Sequence, residues 1–207
     1  MKTINITILM AILVTGAALA TTVDIKSDSN TQFKNGSNWV NSVDPIWNHP
    51  SWAVITAQIP GDWIYTAYEV SPGVNGEAYN GATNDFQRAF EIPECATNIK
   101  GTIDVTADNQ FDAKLNGNEV VSGNDWGTKY SQSFTPQIGP NTFDFNVINW
   151  GKDQGYFLTD PEQNPGGLIY DAKISYDGCG REVPEFGTVA ALIALAGAVA
   201  AFLIIRK

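Results

Sequence analysis

Apolar residues in this chain recur at every second position, most clearly between Thr102 and Gly117. Ile103, Val105 and Ala107 share one parity against Thr102, Asp104 and Thr106. Phe111, Ala113 and Leu115 do the same against Asp112, Lys114 and Asn116. A period of two with a single apolar face is that of a half-buried strand. Asp108-Asn109 are turn formers between the two runs, and Asn116-Gly117 is a strong signal for a tight hairpin. The stretch therefore predicts strand, corner, strand and tight turn.

Weaker copies of the pattern flank it. Thr22 to Lys26 reads as a short edge strand, and Ser27 to Asn48 as a polar segment with Trp39 and Trp47 embedded. Strands are predicted at Ala53 to Ala57 and Trp63 to Val70, then a long loop from Ser71 to Thr83 rich in turn dipeptides. Phe86, Phe90 and Ile92 mark the next strand, with Arg88 on their apolar face and so near an edge. Further strands follow at Glu119 to Ser122, Tyr130 to Thr135 and Asn141 to Asn149, the last with Phe143, Phe145 and Val147 on one face. A second long loop, Trp150 to Gly167, precedes the cleanest alternation, Leu168 to Tyr176. No helical period intervenes between Thr22 and Arg181, and there is no internal repeat. Short strands with turns at this spacing predict an all-β sandwich or barrel.

The two ends follow another pattern. A basic Met1-Lys2 start, an apolar run from Ile4 to Leu19 and the small-x-small Ala18-Leu19-Ala20 predict a signal peptide over residues 1–20, a retained anchor being the alternative. Thr188 to Ile205 is uncharged and closed by Arg206-Lys207. As a helix it would be about 27 Å long, enough to cross a hydrocarbon core, with its basic end cytoplasmic. The domain between, residues 21–181, is then expected on the extracellular face, followed by an anchor segment over residues 182–207.

Charge narrows the partners. Twelve Lys and Arg against 22 Asp and Glu leave the chain at −10, with no basic patch interleaved with aromatics, which argues against nucleic acid as a partner. Cys95 and Cys179 are the only cysteines, and in an exported protein a lone pair is expected as a disulfide, free thiols being the alternative. Asn35-Gly36-Ser37 is a formal N-glycosylation acceptor. His49 is the only histidine, and no Gly-x-Ser-x-Gly elbow accompanies it, so no nucleophile–base system or zinc site is expected. Asp104, Asp108 and Asp112 lack the spacing of a calcium loop.

The order of these signals resembles the galactose-binding-domain-like jelly roll of carbohydrate-binding modules. The likeness is carried by Asp85 to Pro93, Ile103 to Asn109, Phe111 to Gly117, Glu119-Val120, Phe143 to Asn149 and Gly166 to Tyr176, with His49-Pro50-Ser51-Trp52 ahead of them. Val183-Pro184-Glu185-Phe186-Gly187, the apolar segment and the basic end resemble the Pro-Glu-Phe sorting tails of archaeal surface proteins. That resemblance implies a membrane transpeptidase that cuts near the motif and exchanges the tail for a lipid. An uncut single-span anchor is the other reading. The jelly-roll likeness leaves room for a structural calcium ion.

Aromatic residues supply the candidate chemistry. A sugar presents a flat C–H face and a rim of hydroxyls, which an aromatic ring beside Asn or Asp can receive. The loop candidates are Trp47 and His49, Asp125 with Trp126, and Asn149 with Trp150 and Tyr156. Trp52 and Trp63 are expected in the core. The leading expectation is a surface-anchored, non-enzymatic domain that binds a glycan or envelope polymer. A structural subunit of a surface layer or filament is the second reading, and a polysaccharide-acting enzyme the third.

Overall fold

The alternating runs become ten strands in two antiparallel sheets in a computed structural model that describes residues 20–43, 50–65, 83–150 and 166–178. All of these fall in one compact unit, Ala20–Cys179. The strands are β1 (Thr21–Lys26), β2 (Gln32–Asn35), β3 (Asn38–Asn41), β4 (Thr83–Ile92), β5 (Thr97–Asp108), β6 (Gln110–Leu115), β7 (Asn118–Gly123), β8 (Tyr130–Phe134), β9 (Gly139–Ile148) and β10 (Gly167–Asp177). One sheet has the order β1-β10-β5-β8 and the other β3-β2-β4-β9-β6-β7. From β4 to β10 every connection except the β6–β7 hairpin crosses between sheets, as in a jelly roll. The all-β sandwich expected from the sequence is the architecture found.

Thr102 to Gly117 spans one of those crossings. Its two halves do not pair: β5 lies in the four-stranded sheet and β6 in the other. Asp108 and Asn109 form the corner between them, both buried, with a cis peptide bond joining them. The Asn116-Gly117 turn, both residues at positive φ, then returns the chain into β7.

Inward-facing residues of both sheets make the main core. Phe86, Phe111, Phe143 and Phe145 from the larger sheet meet Ile103, Val105, Tyr170 and Ile174 from the smaller. Phe145 stacks on Tyr170 with centroids 4.6 Å apart, and Phe134 meets Phe143 edge to face at 5.1 Å. Each such ring contributes about 2–3 kcal/mol through the apolar area it removes from water. Arg88 shares this inward parity. Because β2 pairs with β4 only at Gln32 and Phe33, Arg88 lies past its end, and its Nη1 donates to Asp28 Oδ1 at 2.6 Å. Burial alone would raise the Asp28 pKa, but hydrogen bonds from Asn30 and the Arg88 charge hold it below the usual value.

A second apolar cluster lies on the opposite face of the four-stranded sheet. There Ile169, whose parity is opposite to the core residues of β10, meets Trp52, Ile55, Ile59 and Trp63, with Trp126 packed alongside. Trp52 and Trp63 stack at 4.0 Å. Here one expectation fails. Residues 53–57 are not a strand: Pro50–Trp52 is a 3₁₀ turn and α1 (Ala53–Thr56) a single helical turn. The spacing of Trp52, Ile55 and Ile59, three then four, puts all three on one helical face, and that outweighs the brief alternation of Ala53, Ile55 and Ala57.

Asn35-Gly36-Ser37 occupies the exposed tip of the β2–β3 hairpin, with Gly36 at φ 62°. Cys95 sits in the turn between β4 and β5, and no free cysteine occurs among the described residues. Cys179, the predicted signal peptide, and Pro184, Glu185, Phe186 and Gly187 with the apolar tail lie outside the described residues. So do most of both long loops. Among the described residues no helix is long and apolar enough to cross a membrane.

Candidate functional site

The same alternation that builds the core gives the six-stranded sheet an outer face, and its register sets the polar side chains in rows. Asp85 of β4, Asn146 of β9 and Asp112 of β6 are cross-strand partners. Gln87, Asp144 and Lys114 form the next row, and Thr83, Ile148 and Gln110 the row on the other side. At one flank the β2–β3 hairpin adds Lys34, opposite Trp39.

Together these residues shape a groove of about 310 Å³ lined by Trp39, Asp85, Asp112, Lys114, Asp144 and Asn146. Trp39 is 37% exposed, the only exposed tryptophan among the described residues. Its ring is therefore open to a ligand in the groove, as the buried Trp52 and Trp63 are not. Asn146 Nδ2 donates to Asp85 Oδ1 at 2.7 Å, and Lys34 Nζ lies 3.9 Å from Asp85 Oδ2. Asp112 and Asp144 take no hydrogen bond and no salt bridge within 4 Å among the described residues. Burial, and then the neighbouring Asp85 charge, raise the Asp144 pKa, with Lys114 opposing. This is an aromatic wall over a floor of acceptors, suited to a ligand with a flat apolar face and polar substituents.

Those loop residues proposed from sequence that are described are not gathered at one place. Trp126 packs against the Trp52–Trp63 cluster on the outer face of the four-stranded sheet. Asp125 beside it closes its own turn, accepting from Gly127 N at 3.0 Å and Thr128 Oγ1 at 2.7 Å. Asn149 has inward parity and is fully buried. Trp150 has the opposite parity. Its backbone N–H donates to Asn109 Oδ1 at 2.7 Å and its Nε1 to Gln110 Oε1 at 3.3 Å, which places it at the end of the six-stranded sheet's outer face. Trp126 and Trp150 thus belong to opposite faces of the sandwich. Trp47, His49 and Tyr156 lie outside the described residues. Among the described residues no group of three or more His, Cys, Asp or Glu is placed to hold a metal ion.

The loop-centred reading did not consider Trp39 and the outward carboxylates of β4, β6 and β9. Their signal was present in the polar parity of each strand, where Asp85, Asp112-x-Lys114 and Asp144-x-Asn146 alternate with the core. Only the sheet order shows that they are neighbours.

A buried carboxylate lies at the β5–β6 corner. Asp108 Oδ2 accepts from Trp52 Nε1 at 2.9 Å. Burial raises its pKa to about 7, partly offset by that hydrogen bond. Its closed surroundings make it a structural group.

No protein-family model matches the chain, and no curated protein does. Among solved structures it is similar to an FMN-binding β-glucuronidase from Faecalibacterium prausnitzii L2-6, at 15% identity and TM-score 0.47, over 77% of this chain and 23% of that one. A lectin from Pleurotus ostreatus in complex with GalNAc matches at 19% identity and TM-score 0.40, over 52% of this chain and 28% of that one. A family 35 carbohydrate binding module from Clostridium thermocellum matches at 12% identity and TM-score 0.37, over 73% of this chain and 97% of that one. The chain spans about a quarter of the length of the first two.

Proposed function

We propose that this chain is a non-enzymatic glycan-binding domain displayed on the outer face of the cell membrane, and that the groove on the six-stranded sheet is its binding face. The observation that supports this is Trp39, an exposed indole at the wall of a groove floored by Asp85, Asp112, Asp144 and Asn146. A sugar ring stacks its C–H face on the indole while its hydroxyls donate to the carboxylates and the Asn146 carbonyl. Export and anchoring rest on the residue 1–20 signal and the residue 182–207 tail. The tail reading includes recognition by a sorting transpeptidase.

A glycan array probed with the full-length chain in detergent tests the function. Binding to at least one glycan class is expected, with Trp39→Ala weakening it about 30-fold, roughly 2 kcal/mol, the loss typical of a central aromatic anchor. Trp126→Ala should leave it intact, because that ring faces away. No binding to any glycan, together with ordered self-association, would favour a structural subunit of the surface layer. Cleavage of a polysaccharide by the purified chain would make it an enzyme.

A further inference from the structure

Pairing within the groove leaves its charges unevenly matched. Lys34 stands against Asp85. Lys114 faces Asp144 on one side and Glu119 of β7 on the other, since Glu119 is its cross-strand partner. Asp112 has only Asn146 and Ser122 as its cross-strand neighbours, and neither hydrogen-bonds to it. Asp112 and Asp144 thus turn two carboxylates without a hydrogen bond toward the cavity that Trp39 walls. A neutral sugar would satisfy them only as hydroxyl acceptors. An anionic sugar would be repelled at this distance, where charges inside a partly enclosed groove are screened less than on open surface. An ammonium group answers either carboxylate, and the indole face adds a cation–π term to the stacking.

We propose that the groove selects glycans carrying free amino groups, 2-amino-2-deoxyhexose units above all, over their N-acetylated and uronic counterparts. The proposal rests on the glycan-binding reading of the same groove and adds to it the sign of the ligand's charge. Asp112 and Asp144 take the ammonium group, and Trp39 receives the ring.

The test titrates the full-length chain in detergent with three probes of equal length: a glucosamine hexamer, an N-acetylglucosamine hexamer and a galacturonic acid hexamer. The glucosamine hexamer should bind about tenfold more tightly than its acetylated form at low salt, the advantage of a partly enclosed ion pair. That advantage should disappear in about 0.5 M salt, where the screening length falls to a few ångströms. Asp112→Asn with Asp144→Asn should erase it while the chain keeps its fold by circular dichroism. Trp39→Ala should weaken both sugars together. Equal binding of the acetylated and free hexamers, or preference for galacturonate, would overturn the charge assignment and leave the glycan-binding reading standing. Binding of none of the three, nor of any arrayed glycan, would remove both. An oligolysine that competes equally well, and does so in the Trp39→Ala variant, would mark an unspecific acidic surface and overturn the proposal.

Discussion

Asp108 shows how one residue can set the pH response of the whole fold. Its carboxyl is buried at the β5–β6 corner, and its folded pKa of about 7 stands well above the ordinary 3.8. A carboxyl whose pKa is raised on folding holds its proton more tightly in the native state, so the contribution is fullest below about pH 4. It is lost as pH rises towards 7 and is flat beyond. The difference corresponds to about 4 kcal/mol across that window. Thermal melts of the wild type should therefore show stability falling between pH 4 and 7. Asp108→Asn keeps an acceptor for the Trp52 N–H and has no proton to lose. Its melting temperature should be flatter over the same range and higher than wild type at pH 8. An unchanged slope would mean that Asp108 is ionised in the fold.

At the scale of elements, strand faces were legible in the sequence and strand neighbours were not. Alternation placed Phe143, Phe145 and Val147 inward, and they are buried. It also placed Asp112 and Lys114 outward, but nothing local told that β6 would lie beside β9 and β9 beside β4. Sheet order is fixed by contacts far apart in the chain, so a site built across three strands has no signature within any one of them. The residue 53–57 segment failed for a different reason: four apolar positions fit a short strand and one helical turn equally well. Gly167 is a position where elements meet closely, since a Cβ there would stand 2.7 Å from the Trp63 ring and 2.9 Å from that of Trp52. Gly167→Ala should cost about 1–3 kcal/mol by forcing the stacked pair apart, read from denaturant midpoints with near-ultraviolet dichroism reporting the tryptophans.

For the molecule as a whole, the end of β10 returns to the start of β5. Thr97 pairs with Asp177, and the Gly178 backbone packs against Cys95. In the sequence Cys95 stands two residues before Thr97, and Cys179 two residues after Asp177. On the export reading we expect a Cys95–Cys179 disulfide, closing about half of the domain into a loop and contributing up to about 4 kcal/mol. Peptide mapping without reductant should recover the two cysteines in one linked fragment, and recovery of both as free thiols would refute the pairing. Mass spectrometry of the mature C-terminus separates the two readings of the tail. Loss of the residues after Gly187 is expected for a sorted protein, and an intact Lys207 for a single-span anchor. The export signals and the cysteine pair are expectations read from residue types along the chain, whereas the groove exists only once strands far apart in the sequence are neighbours.

The attachment of the β2–β3 hairpin reaches further than its size suggests. It carries Trp39 but is held to β4 by only two residue pairs, whereas the groove floor belongs to strands paired along nearly their whole length. The groove therefore has the mechanics of a caliper, with one jaw rigid and the other sprung. Local opening costs least where few pairs must break, so amide hydrogens of Asn38–Asn41 should exchange faster than those of β9 and slow when a glycan closes the jaws. For the glycan-binding groove proposed above, such a wall would trade tightness for tolerance of ligands of differing girth.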